Sequence, residues 1–593
     1  MEVKERINRL RELMQRMGIT AYVVPTSDPH QSEYIADYYK TRVWISGFTG
    51  SAGTVVITQK EAILWTDGRY FIQAEKELEG SGIKLCKIGI PGFPTYSQWL
   101  KDLLNEGDTI GFDGKTFSQK EYESLEKEVF KKKIKIIDDY DLIGKIWVDR
   151  PALPQSEAFV HDVKYAGKTT KEKLEEVRKE MTNKGSTHFL IGSLDDIAWL
   201  YNIRGRDIPK NPVIISYALI SEDNAFIFVN KNKINEKVKS HLKENGVEIK
   251  EYDKIVEEIE NIPSGSKVFL DPSKINRWLY KNIPGRCKII KGTNITTYLK
   301  SIKNEVEIKN QKNAYIKDGV ALVKFIYWLD KNIGKTKITE VSASKQLEDF
   351  RRQQEEFIEP SFDTIAAYKE NAAMMHYKPE EGKSNYELKN EKMFLVDSGG
   401  QYLDGTTDIT RTIILGPITD EEKRDFTLTL KAHINLINSK FLYGATGTNL
   451  DVLARYPLWQ EGLDYKCGTG HGVGFLLNVH EGPQSISNKY NEVVLEEGMI
   501  LTIEPGVYKE GKHGVRIENV TVVEEDITTD SGKFMRFQPL SFCPIDLKGI
   551  YVTLLTIKEK KWLNEYHKQV FDKLSPYLEV EEKEWLKENT KSI

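Results

Sequence analysis

Apolar positions recur at helical spacing in a few stretches of this chain, and short β-branched runs separate them. The first stretch sets Leu10, Leu13, Met14 and Met17 among Glu2, Glu5, Arg9, Arg11 and Glu12, which predicts an amphipathic surface helix rather than an apolar leader. AYVVP, GTVVIT and AILWT then predict strands, and VDRPALPQSEAF, with Pro151 and Pro154, reads as a linker. A second alternation follows, with HFLIGS, PVIIS and NAFIFV as strands and the Lys/Glu-rich stretch 231–260 as exposed helices. Its WLYNIRGRDIPKNPVIIS loosely echoes the earlier WISGFTGSAGTVVIT, so the second unit is either a duplicate of the first or another α/β domain of the same class. From about residue 303 a long helical pattern opens a third unit, whose strands are longer and separated by glycine turns. In the tail Trp562, Tyr566, Val570 and Leu574 stand four apart on a Lys/Glu-rich background, as expected of a helix packing one face on the body. The expected boundaries are 1–152, 153–302, 303–535 and a C-terminal extension, 536–593.

Composition narrows the function classes. At 593 residues the chain exceeds what one core can organise. Its 39% hydrophobic and 29% charged residues exclude a disordered or fibrous protein. A net charge of −4 offers no global positive field for a phosphate backbone, so no nucleic-acid partner is expected. No apolar run of about 18 residues occurs, so no spanning helix and no membrane partner are expected. Cys86, Cys287, Cys467 and Cys543 are scattered singly, which suits a reducing compartment and a cytoplasmic protein.

The chemistry is concentrated in the third unit. Asp397 and Asp408 in KMFLVDSGGQYLDGTTDITRTIIL occupy places where strands normally carry apolar residues. A carboxylate there must be paired, hydrogen-bonded or bound to a cation. Glu504 ends the apolar strand of ILTIEPGVY, and Glu518 falls inside GVRIENVTVV. Between the pairs, Gly468, Gly470, Gly472 and Gly474 surround His471 and allow close backbone approach. Each residue alone has an ordinary explanation as a turn, edge or loop residue. Together, four carboxylates and one imidazole suit two divalent ions, because uncompensated they would repel one another. Oxygen-rich ligation with a single histidine favours manganese, with cobalt, iron or zinc as alternatives.

These motifs, with WISGFTGSAGT, WTDGRYFIQA, HYKP, GTGHGVGFLLNVHEGP and GVRIENV, resemble the pita-bread metallopeptidases, and nearly the whole chain resembles the long, three-domain aminopeptidase P (Xaa-Pro aminopeptidase) family. The resemblance implies an α/β (α+β) chain, with two creatinase-like domains, a pita-bread catalytic domain and a short helical extension. It implies that Asp397 chelates one metal, that Asp408 and Glu518 bridge both, and that His471 and Glu504 complete the other. It also implies that a bridging hydroxide attacks the scissile carbonyl of an N-terminal Xaa-Pro bond while Glu504 helps manage the proton. His376 and His480 match histidines that contact substrate and assist proton transfer, and Arg69 matches an arginine reaching the substrate beyond the proline. Peptides with proline in second place are the implied partners, and the family usually forms homodimers.

Three further expectations concern the surroundings. Arg516 is placed to pair with a bridging carboxylate. Tyr377, Phe475 and Val507 are candidates for a proline pocket, needed because proline has no amide hydrogen and a fixed φ. Where many relatives have a histidine four residues before the metal-binding one, this chain has Cys467, a weak donor that cannot reproduce an imidazolium. A prolidase, with the same ligands, and a metal-free peptide-binding module are the competing readings, and a methionine aminopeptidase would be more compact.

Overall fold

The computed structural model describes residues 1–382 and 384–593, which form two compact units: Met1–Val163 with Lys168–Thr297, and Lys164–Gly167 with Tyr298–Ile593. In the first unit β1 (Ala21–Pro25), β2 (Thr54–Thr58), β3 (Ala62–Thr66), β4 (Lys84–Lys87), β5 (Thr109–Gly111) and β6 (Lys135–Ile137) form a sheet of order β4-β3-β2-β1-β5-β6. The run AYVVP is apolar throughout because both faces of β1 are covered: Tyr22 and Val24 pack with Ile7, Leu10 and Met14 of the helix Val3–Arg16, and Ala21 and Val23 with Leu100, Phe112 and Leu125.

A second six-stranded sheet uses, in chain order, His188–Ile191, Ser216–Ser221, Ala225–Val229, Val247–Lys250, Lys267–Leu270 and Lys288–Lys291. Across this sheet they stand fourth, third, second, first, fifth and sixth, the order of the first sheet. The strand senses also match, with two antiparallel pairings and three parallel ones in corresponding places. Duplication accounts for that agreement more simply than class resemblance does. Two local expectations need correction. The strand begins at Ser216, so most of PVIIS precedes it: the Ile215 N–H donates to the Asp207 carboxylate (2.7 Å) and the Val213 N–H to Asn211 O (2.8 Å), off the ladder. The stretch 231–260 also contains the strand Val247–Lys250, whose residues alternate apolar and charged between two helices.

The second unit opens with the 28-residue helix Glu305–Asn332, whose Asn304 cap accepts from the backbone N–H groups of Val306 and Glu307. Two sheets carry the candidate site. One is antiparallel, with Met393–Ser398 between Ile365–Tyr368 and Ile409–Ile414. The other runs Lys440–Leu442, Gly532–Pro539, Asn519–Thr529, Ile500–Ile503, Gly470–Gly472 and Glu481–Ile486. The tail helix Ile557–Leu574 buries Leu563, Tyr566, Val570 and Leu574 against Phe426, Leu430 and Ile434 of the helix Asp420–Ile437, while Trp562 is partly buried. The four-residue spacing therefore builds core, as expected. Among the described residues no helix is long and apolar enough to cross a membrane, and none of the four cysteines is in a disulfide.

Buried Arg411 joins the tail to the sheets. Its guanidinium donates to the carbonyls of Thr410 (2.8 Å), Glu518 (2.6 Å) and Cys543 (2.8 Å), and to the Tyr566 hydroxyl (2.7 Å). His433 and His567 are buried nearby. His567 Nε2 accepts from the Ile545 N–H (3.0 Å), and His433 Nδ1 lies 3.1 Å from Ile503 O. Burial first, then Arg411, pushes both imidazoles from the ordinary 6.5 down to about 3. Each therefore binds fewer protons folded than unfolded between those values. The stability they contribute is complete above about pH 6.5 and is lost as the pH falls towards about 3, at about 1.4 kcal/mol per pH unit for each. Urea midpoints of the second unit should fall between pH 7 and 5, and His567→Gln should lessen that slope. An unchanged slope would contradict the assignment.

Candidate active site

Asp397 lies within Met393–Ser398 and pairs across the ladder with Thr410, while Asp408 immediately precedes Ile409–Ile414. Glu504 follows the strand Ile500–Ile503, and its backbone N–H donates to Thr469 O (2.8 Å), two residues before His471. Glu518 lies not inside a strand, as expected, but in the break between His513–Arg516 and Asn519–Thr529. Its N–H leaves those ladders to donate to Thr410 O (3.2 Å). The glycines beside His471 are required by contact: a Cβ at Gly470 would stand 2.0 Å from Thr502 O, and one at Gly472 2.5 Å from Glu481 O.

These segments bring the acidic groups together. His471 Nε2 is 3.5 Å from Asp408 Oδ2 and 3.6 Å from Glu504 Oε1. Asp408, His471 and Glu518 each offer one ligand atom, all within 4.8 Å of one another. His471 Nδ1 lies 2.8 Å from Gly472 O. As the protonated nitrogen it donates there, which leaves the lone pair of the neutral ring on Nε2, facing the carboxylates. Asp397, Asp408 and Glu518 are only 7%, 4% and 1% exposed. Burial first, then Asp397, pushes the Asp408 carboxyl well above its usual range. Burial, then Asp408 and Asp397, does the same to Glu518. Burial raises Glu504 to about 7, against the pull of His471 and Arg516. The buried Asp397 Oδ1 has no hydrogen-bond partner among the described residues. Hard donors that repel one another, with one oxygen unsatisfied, fit divalent cations.

Arg516 differs from expectation in its partner. Its Nη2 donates to Asp397 Oδ2 (2.6 Å), and it reaches Glu518 only through the Thr410 hydroxyl, which accepts from Arg516 Nε (3.2 Å) and donates to Glu518 Oε2 (2.8 Å). Tyr508 OH accepts from Arg516 Nη1 (2.6 Å). Neither Thr410 nor Tyr508 was singled out by sequence reasoning. The one available signal for Thr410 was its period-two spacing with Asp408 and Thr412, which places Thr410 and Thr412 on one face of the strand Ile409–Ile414, in line with Asp408 just before it.

The His480 ring meets the His471 ring edge-on, with centroids 4.3 Å apart. His376 is half-buried and follows Met375, whose carbonyl accepts from Arg516 Nη2 (3.3 Å). Phe475 is buried, and Val507 packs with Leu428, Leu458 and Tyr465 beside Cys467 and Tyr508. The Tyr377 hydroxyl donates to Glu340 Oε2 (2.7 Å). Arg69 belongs to the first unit, where Asp67 grips its guanidinium at 2.8 and 2.7 Å.

Residues 309–525 match the model of metallopeptidase family M24, and 533–593 match the C-terminal region of peptidase M24. Residues 6–143 and 149–307 match creatinase/prolidase N-terminal domains. Fold and site together thus define a metallopeptidase-type chain with two creatinase/prolidase-type domains, as the motifs implied. Aminopeptidase P2 of Arabidopsis thaliana is 41% identical over 616 residues, covering 97% of this chain and 86% of its own length. Xaa-Pro aminopeptidase 1 of Dictyostelium discoideum is 42% identical over 594 residues, covering 97% and 94%. The crystal structure of X-prolyl aminopeptidase from Caenorhabditis elegans, described as a cytosolic enzyme with a di-nuclear active site, superposes with a TM-score of 0.97 at 35% identity, covering 100% of both chains. The chain belongs to the Xaa-Pro aminopeptidase family.

If the carboxylates hold cations, chelator-treated protein should melt lower and recover with added divalent ion, by about 2.7 kcal/mol at a hundredfold excess over Kd. Asp408→Ala should lose this increment in a melting titration. A full increment in that variant would contradict the site.

Proposed function

We propose that this chain is a metal-dependent aminopeptidase that hydrolyses the N-terminal Xaa-Pro bond of peptides. The observation that carries the reading is the convergence of Asp408, His471 and Glu518 within 4.8 Å beside the unsatisfied Asp397 Oδ1. Similarity over nearly the full length to proteins named Xaa-Pro aminopeptidase 1 and X-prolyl aminopeptidase supports the substrate class.

In this reading Asp397, Asp408, His471, Glu504 and Glu518 would together hold two divalent cations. When bound, the cations offset the carboxylate charge, polarise the scissile carbonyl and make a nucleophile available at neutral pH. The residues do the rest. Glu504, half-buried at the end of its strand, takes and returns the proton. His480, edge-on to His471, and His376, beside the Met375 carbonyl held by Arg516, contact the substrate and assist proton transfer. Arg516 and Thr410 orient Asp397 and Glu518 by hydrogen bonds, which keeps each carboxylate aimed before substrate arrives. Apolar Phe475 and Val507 suit a proline ring, which brings no N–H to satisfy. For Arg69, which Asp67 holds within the first unit, the family resemblance supplies the role toward the peptide beyond the proline.

The finer assignments are part of the same reading. Manganese is the native ion because the donors are mostly hard oxygens. The protein is cytoplasmic, consistent with scattered cysteines, and it acts as a homodimer. Its chain divides at 152, 302 and 535. Elemental analysis of the active enzyme should find two metal ions per chain, and sedimentation should give twice the chain mass. With manganese, Xaa-Pro-Yaa tripeptides should turn over faster than Xaa-Pro dipeptides, and Asp408→Ala should abolish turnover. Equal or faster dipeptide cleavage would identify a prolidase instead.

A further inference from the structure

Glu340 begins the helix Glu340–Arg352 and is fully buried, outside every motif of the site. Its Oε1 accepts from the Tyr368 N–H (2.7 Å) and Asn371 Nδ2 (3.0 Å). Its Oε2 accepts from the Tyr377 hydroxyl (2.7 Å) and the Tyr386 N–H (2.8 Å). Three donors from the connection between the strands Ile365–Tyr368 and Met393–Ser398, with the N–H of the last residue of the first strand, thus converge on one carboxylate. Two of them are backbone N–H groups that can only donate, so a buried acceptor is needed at this point. Asn371 Nδ2 also donates to the Tyr377 hydroxyl (3.0 Å), which lies 2.6 Å from Ser384 Oγ.

The same connection is anchored on its other side. Arg516, which holds Asp397, donates to Met375 O. Gly514 lies so close that a Cβ there would stand 1.8 Å from Ala372 O. His376 therefore sits between two fixed neighbours: Met375, tied to the guanidinium of the carboxylate site, and Tyr377, tied to Glu340. Truncating the Glu340 anchor frees one side of the histidine without touching a candidate metal ligand, whereas truncating Arg516 would also release Asp397.

We infer that Glu340 is a positioning residue for the peptidase reaction, fixing His376 over the site by gripping Tyr377 and the segment 369–377. The inference rests on the reading of His376 as a substrate-contacting group. Glu340 itself touches no substrate. A displacement of about 1 Å in such a group costs on the order of a hundredfold in rate.

The test uses the full-length, manganese-loaded enzyme and a Xaa-Pro-Yaa tripeptide. Tyr377→Phe removes only a hydroxyl and guards against misfolding of Glu340→Gln. Each should lower kcat/KM by about 10–100-fold while two metal ions per chain remain bound. Amide exchange across 369–377 should quicken in both, with the strand Met393–Ser398 unchanged. In a His376→Ala background, Tyr377→Phe should have little further effect, because nothing is left to position. Full multiplicative losses in that double variant, unchanged exchange, or metal loss from Tyr377→Phe would each overturn the positioning role. If His376→Ala alone keeps wild-type kcat/KM, the reading of His376 fails and the positioning role goes with it.

Discussion

Electrostatic repulsion among buried acids is the constraint to which the catalytic unit is built. Asp397, Asp408 and Glu518 are nearly shut off from water, and Glu504 stands at their edge. No folded chain would gather them without compensation, because burial and mutual repulsion both oppose ionisation. One guanidinium, Arg516, provides part of the answer from within the protein. Divalent cations provide the rest in the proposed reading. The surrounding sheets can be understood as holding these charges apart by fixed hydrogen bonds: Thr410 against Glu518, Thr469 against the Glu504 backbone, and Thr502 against the His471 backbone.

Much of this was legible in the sequence because acids are conspicuous within apolar runs. Asp397, Asp408, Glu504 and Glu518 each interrupt or end a β-branched stretch, and the glycines around His471 signal close approach. The hydroxyls that orient them were not legible. Thr410 and Tyr508 are at home in any strand, and only the observed contacts distinguish them from packing residues. Glu340 was concealed for another reason: a glutamate after threonine at a helix start looks like ordinary capping chemistry. Its burial depends on a connection that returns from later in the chain. Tyr377, a natural candidate for an apolar pocket by composition, has its hydroxyl committed to that same carboxylate.

At the level of fold, periodicity identified the layers but not every boundary. PVIIS has strand composition, yet its backbone donors are taken by Asn211 and by Asp207, and those bonds override propensity. Val247–Lys250 was obscured by the charges that keep the edge of the sheet soluble. The repeat of the first sheet in the second was visible only as a faint echo in Trp and Gly positions. Strand order and sense, which sequence similarity need not preserve, display it plainly.

Arg411 gives the C-terminal helix a meaning beyond packing. One guanidinium hydrogen-bonds Tyr566 of that helix and the main-chain oxygen of Glu518, so the far end of the polypeptide and a candidate metal ligand lean on the same cation. Trimming the chain back through the helix would uncover an arginine in the strand that Asp408 introduces, and water would enter behind the site. The extension thus backs the strand behind the candidate ligands, and a catalytic domain excised without it would leave Arg411 without its Tyr566 partner.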